Sequence, residues 1–174
     1  MADVLSLYDL VVKYGYAGIF IFLLYEGTGM PGPVQIVFLA SAYLIKKGKL
    51  NLIKVVFYAT LGNLCGNILA YVIGKYKGKY FVKYLLNKLK IKEEMYLKIE
   101  DWYKKKGGFV VFISRLIGIP RTPAIWASGI VGIDIKSYIF FSILGDLVWA
   151  AFWTVFTYYG INFLYLVKKL GFKI

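Results

Sequence analysis

Histidine does not occur in the 174 residues of this chain. Its absence removes the commonest general base, the commonest metal ligand and the partner in Ser-His and Cys-His nucleophile pairs. Cysteine occurs once, as Cys65 inside a hydrophobic run. That excludes an intrachain disulfide framework and a thiolate zinc cluster. No metal site, cofactor or enzymatic centre is expected from this inventory. No Lys or Arg precedes Lys13, so the positive region of a cleaved signal peptide is lacking and the first apolar stretch is expected to belong to the mature protein. Arginine occurs only twice, at Arg115 and Arg121, against 20 lysines.

What the chain has in excess is apolar surface. Hydrophobic residues make up 60% and aromatics 19%, with a mean hydropathy of +0.65, more than a soluble domain of this size can bury. An all-α integral membrane protein is expected. The net charge of +13 falls mainly in loops and one linker, which points to anionic lipid headgroups and away from nucleic acid.

About 20 apolar residues are needed to cross the hydrocarbon core. Leu10 to Tyr25 ends in Glu26-Gly27-Thr28-Gly29-Met30-Pro31-Gly32-Pro33, and only about a dozen apolar residues, Val34 to Ile45, follow. Phe109 to Ile119 is again short, and Pro120-Arg121-Thr122-Pro123 separates it from Ala124 to Ile133. Proline breaks both stretches. Two re-entrant helical hairpins are expected, pointing inward, because freed backbone at membrane depth needs protein or a wet cavity around it. Leu52 to Ile73 and Ser137 to Gly160 are long enough to span.

Between them, Lys75 to Lys106 carries 11 lysines and four acids, with Phe81, Tyr84, Leu85, Leu89, Met95, Ile99, Trp102 and Tyr103 at helical spacing. This predicts an amphipathic helix pair on a membrane surface, on the cytoplasmic side by its lysine excess.

The two hydrophobic halves resemble each other. Gly18-Ile-Phe-Ile-Phe22 matches Gly108-Phe-Val-Val-Phe112, and Leu61-Gly-Asn63-Leu64 matches Leu144-Gly-Asp146-Leu147. A hairpin returns to its own side, a span crosses once and the polar linker cannot cross, so the second half enters from the opposite face. The expected organisation is a single membrane domain over 1–174: repeat one about 10–74, amphipathic linker 75–106, repeat two about 107–160 and a tail 161–174. Such inverted repeats characterise secondary transporters, with the two breaks meeting near the midplane. The tail's side depends on whether Ile161 to Val167 turns back along the interface.

Ionisable groups inside such segments are site candidates by default. They are Glu26, Arg115, Arg121 and Asp146. The guanidinium fork grips phosphate or carboxylate bidentately and stays charged when desolvated. Helix N-termini after Pro31 and Pro120 would add backbone N–H groups. Two readings stand side by side: an anion site, and a structural quartet in which the acids neutralise the arginines. Asn63 and Asn67 either line a wet path or form interhelical hydrogen bonds.

The sequence Glu26-Gly-Thr-Gly-Met-Pro31-Gly-Pro33, then Phe112-Ile-Ser-Arg115-Leu-Ile-Gly-Ile-Pro120-Arg121-Thr122, then Gly145-Asp-Leu-Val-Trp149 resembles the DedA family of bacterial membrane proteins, also called the SNARE-associated or VTT-domain family. The resemblance implies paired re-entrant hairpins packed with spanning helices, and a multi-pass transporter of the bacterial cytoplasmic membrane. It implies movement of undecaprenyl phosphate or phospholipid between leaflets, with Glu26, Arg115 and Arg121 as essential residues, by a monomer or homodimer. Many members carry an acid where this chain has Gln35, which puts proton coupling at that position in question and leaves Glu26 and Asp146 as titratable candidates.

The sequence thus favours an undecaprenyl phosphate translocase. Arg115 and Arg121 would bind phosphate, Glu26 and Asp146 would pair or couple protons, and Pro31, Pro33, Gln35, Asn63, Pro120 and Thr122 would shape the cavity. The alternatives are a phosphatidylethanolamine flippase or scramblase, and a proton-coupled small-solute exporter with structural arginines.

Overall fold

The computed structural model describes residues 9–88, 90, 92–117 and 121–169, with backbone only at 79, 81–83, 85–86, 115–117, 121–123 and 162–169. Among the described residues the chain is all helical. A short helix α1 covers residues 9–14. It is followed by α2 (Tyr16–Gly27), α3 (Val34–Lys46), α4 (Leu52–Lys88), α5 (Glu93–Lys106), α6 (Phe109–Ile117), α7 (Arg121–Val131) and α8 (Ile135–Lys169).

Local chemistry sets the boundaries. The first apolar stretch does not form one helix: Gly15 takes φ of 55° and the chain folds back, so that a Cβ on Gly18 would lie 2.5 Å from the Leu10 carbonyl oxygen. Only glycine tolerates that approach. Pro33 is the N-cap of α3, where proline's missing N–H is no loss. Gly48 closes α3 with φ of 70°. Asn51 then caps α4, its Oδ1 accepting from the backbone N–H of Ile53 at 2.9 Å and of Lys54 at 3.2 Å. Asp134 caps α8 in the same way, accepting from the Ser137 N–H at 2.8 Å.

Among the described residues two helices are long and apolar enough to cross a membrane, Leu52–Gly78 within α4 and Ile135–Ile161 within α8; α2 and α3 are apolar but only 12 and 13 residues long. The outer faces of the long pair carry large apolar side chains, with Phe57 59%, Phe152 58% and Phe156 60% exposed. In water such a face would be an aggregation site; in a bilayer it is the lipid boundary.

Helix α4 is the central post, packing against α2, α7 and α8, while α8 also carries α3 and α6. Small residues make this possible. A Cβ on Gly62 would lie 2.5 Å from the Phe20 carbonyl oxygen, one on Gly27 2.6 Å from that of Asn63, and one on Gly74 2.6 Å from that of Trp126. Backbones this close gain van der Waals contact where lipid tails supply no hydrophobic drive.

Two differences from the sequence expectations stand out, together with one point the sequence left open. The first span runs on to Gly78, where φ of 71° kinks the helix before the linker. Residues 161–167 do not turn back, because α8 continues through Lys169. And α5 does not simply lie on a surface: Tyr96, Ile99 and Tyr103 are buried in one cluster with Ile125 and Trp126 of α7, while Met95 and Trp102 stay exposed. Burial, with the Glu100 carboxylate beside it, pushes the Tyr96 phenol well above its ordinary range and keeps the ring neutral.

Candidate functional site

The polar residues of the apolar segments converge at one level of the bundle. Glu26, 9% exposed, occupies the last turn of α2. Its neighbour Gly27 presses on α4 at Asn63 and Gly66, so the end of α2 abuts the polar stretch of the central helix. Asn63 and Asn67 lie one turn apart and are fully buried, as is Asp146 on α8. The Asn67 amide donates to Asp146 Oδ2 at 2.6 Å.

One turn away the Tyr138 hydroxyl donates to the Asn67 carbonyl at 3.2 Å, and its ring packs on Tyr71 at 4.8 Å between centroids. Rising numbers on α4 therefore meet falling numbers on α8. The two long helices run antiparallel.

The first break is tied to the second half as well. Trp126 Nε1 of α7 donates to the Thr28 carbonyl at 2.8 Å, satisfying a carbonyl that the end of α2 leaves open. The α7 helix begins at Arg121, five residues before that contact, and Arg115 lies in the last three residues of α6. The side chains of Arg115, Arg121 and Thr122, and the whole of Pro120, lie outside the described residues. Of the remaining motif residues, Pro31, Pro33 and Gln35 are exposed and do not enter the buried layer.

The structure thus gathers Glu26, Asn63, Asn67 and Asp146, and adds Ser142 and Trp126. Spacing held the signal for Ser142, which lies four residues from Asp146 and so on the same helix face. Trp126 carried no such signal, since its role depends on which carbonyl the first break presents.

Two carboxylates and two amides in an apolar surround form a costly layer. An ionised carboxylate there must be hydrogen-bonded, paired or wet. The Asn63 amide has no hydrogen-bond partner at either its nitrogen or its oxygen among the described residues. A dry, purely structural amide so placed would be a net cost. Its replacement separates the cases: Asn63→Leu should leave thermal stability unchanged or raise it, whereas Asn67→Leu should lower it by about 0.6–1.7 kcal/mol by removing a partner of Asp146. Equal losses in the two variants, measured by melting in detergent, would show that Asn63 has a structural partner.

Apolar outer faces on spanning-length helices and a buried ionisable layer between them define a membrane-embedded helical protein. The VTT domain model matches residues 31–159, and the chain belongs to the VTT-domain, or DedA, family. It is 29% identical over 141 residues to the uncharacterized membrane protein YbfM of Bacillus subtilis, covering 81% of this chain and 87% of that one. It is 29% identical over 152 residues to undecaprenyl phosphate transporter A of the same organism, covering 87% and 73%. A protein of Lactococcus lactis called alkaline phosphatase-like is 23% identical over 142 residues, covering 79% and 66%. No solved structure matches the chain.

Proposed function

We propose that the chain is a lipid translocase that moves a phosphate-bearing lipid, undecaprenyl phosphate first among candidates, between the leaflets of the bacterial cytoplasmic membrane. The observation that carries this reading is the buried layer of Glu26, Asn63, Asn67 and Asp146 where α2 and α8 each pack on α4, with the two arginines near the end of α6 and at the start of α7. Two guanidiniums suit a compact phosphomonoester, which asks for no partner for an amine or a sugar. Glu26 competes for them when the site is empty, and its protonation couples transfer to the proton gradient. A family that includes undecaprenyl phosphate transporters supports a transporter over a phosphatase.

The single membrane domain over 1–174 is built of two inverted repeats, each a re-entrant hairpin and a span. Packing supports this. Helix α3 of the first half packs on α8 of the second, and α7 of the second packs on α4 of the first. Matching positions carry the contacts: Thr157 Oγ1 lies 3.3 Å from the Phe38 carbonyl oxygen, and Gly74 is pressed on α7 around Trp126 and Gly129. The match pairs Asn63 with Asp146 and Asn67 with Ala150. The image of the Asn67–Asp146 bond is then an Asn63–Ala150 contact, which accounts for the partnerless amide. Alternate opening of two such halves around a fixed site completes a flip.

Liposomes test the proposal. Accessibility from the outer leaflet is followed for undecaprenyl phosphate and phosphatidylethanolamine at several pH values. Undecaprenyl phosphate should move in a pH-dependent way, and Glu26→Gln should flatten that dependence. If neither lipid moves, the translocase reading goes. Faster transfer of phosphatidylethanolamine would favour the second reading, to which two buried carboxylates suited to an ammonium group lend support.

A further inference from the structure

Helix α5 ends in three consecutive lysines, and they are not equivalent. Lys104 Nζ lies 2.9 Å from Glu100 and Lys105 Nζ 2.7 Å from Asp101, each four residues back along the helix. The residue four back from Lys106 is Trp102. No acid is within reach in that register, and Lys106 has no ion-pair partner among the described residues.

Lys106 and Trp102 form one wall of a groove of about 210 Å3 whose other wall is Phe109, Val110 and Ile113 of α6. Trp102 is 43% and Phe109 44% exposed. No carboxylate lines the groove among the described residues. Gly107, at φ of 57°, makes the turn from the charged helix into the apolar one, so the groove straddles the step from polar to hydrocarbon surroundings. Tryptophan is the residue that prefers this level of a membrane.

We infer that the α5–α6 groove is a binding site for an anionic phospholipid of the surrounding bilayer, with Lys106 on the lipid phosphate and an acyl segment lying across Trp102, Phe109 and Ile113. Charge and shape agree on this occupant. Among the described residues the walls are apolar except for one ammonium, and the ammonium is the only lysine of the three whose charge is not already answered within the helix. A neutral apolar ligand would leave it unused, and a soluble anion would leave the walls unused. None of the buried layer, Glu26, Asn63, Asn67 or Asp146, lines the groove, so the site is separate from the one proposed for transport and stands whichever lipid is moved. By anchoring the junction of α5 and α6, the bound lipid holds the start of the helix whose far end carries Arg115.

The full-length protein in mixed micelles is titrated with phosphatidylglycerol or phosphatidylcholine of the same acyl chains, brominated to quench tryptophan. The part of the quenching lost in Trp102→Phe reports on this groove. Phosphatidylglycerol should bind about fivefold tighter than phosphatidylcholine, as one lysine near a membrane surface provides. Lys106→Ala should abolish that preference, and Lys105→Ala, an equal change in net charge, should keep it. Ile113→Trp should fill the groove and remove the Trp102 signal for both lipids. No preference in the wild-type protein, or equal loss in the two lysine variants, overturns the proposal; so does undiminished Trp102 quenching in a folded Ile113→Trp protein. Should that variant not fold, the exposed Lys106 substitution still decides.

Discussion

Lysine in place of Arg115 or of Arg121 should slow transfer of undecaprenyl phosphate about 10- to 100-fold, with the protein still folded in the membrane. The charge is conserved in these variants, so what they remove is the planar fork. A hydrogen bond to a charged group contributes about 1.5–3 kcal/mol, and an ammonium cannot supply the second parallel bond of a bidentate grip. The buried layer makes the test discriminating. Glu26 and Asp146 are buried on α2 and α8, the helices that pack on α4, and a lysine would still neutralise them if holding the halves together were the arginines' whole purpose. Transfer within about threefold of the wild-type rate in both variants would assign them that structural role and sink phosphate recognition. The rate is read as lipid accessibility from the outer leaflet of liposomes, with melting in detergent as the check on folding.

Much of the frame was legible because membranes make some errors expensive. All four prolines fall in two clusters, and the structure has α2 end before Pro31 and α3 begin after Pro33. Length alone separated α4 and α8 from the short helices. The buried acids were legible for a related reason: a charge in an apolar stretch is tolerated only where something answers it. What answers it was not legible. That Asn67, and not Asn63, reaches Asp146 depends on the antiparallel register of two helices 79 residues apart in sequence, which no local pattern encodes. The fold-back at Gly15 was hidden inside an apolar run broken only by Lys13, where one glycine looks like any other.

The amphipathic stripe of α5 misled for a third reason. Periodicity says that a face is apolar without saying whether lipid or protein covers it, and here the face is split. Tyr96, Ile99 and Tyr103 go to the protein, and Trp102 stays at the surface.

Glycine packing gives the largest expected effect on stability, and it falls where sequence comparison of the halves points least. A Cβ on Gly129 would run into the Tyr71 carbonyl oxygen of α4, and one on Gly66 into the Leu24 carbonyl oxygen of α2. In both cases the obstacle is backbone. No rotamer change relieves it, and the helices must separate. Overpacking costs about 1–3 kcal/mol where side chains can shift, so Gly66→Val and Gly129→Val should each reach or exceed the top of that range. Melting in detergent should fall by about 6–12 °C, at roughly 2–4 °C per kcal/mol for a chain of this length. Gly160 supplies the control: it lies in α8 with nothing within 4 Å of a Cβ, and Gly160→Ala should be neutral or add up to about 1 kcal/mol from helix propensity. Because α4 receives α2 on Gly62 and Gly66 and α7 on Gly74, the Gly66 and Gly129 variants loosen different interfaces of one post. Gly66→Val should displace the helix that carries Glu26, and Gly129→Val the helix that opens with Arg121, so each should impair transfer at temperatures below its own melting point. Melting unchanged in both valine variants would mean that α4 does not meet its neighbours at these glycines, and the placement of Glu26 against Asn63 would fall with it.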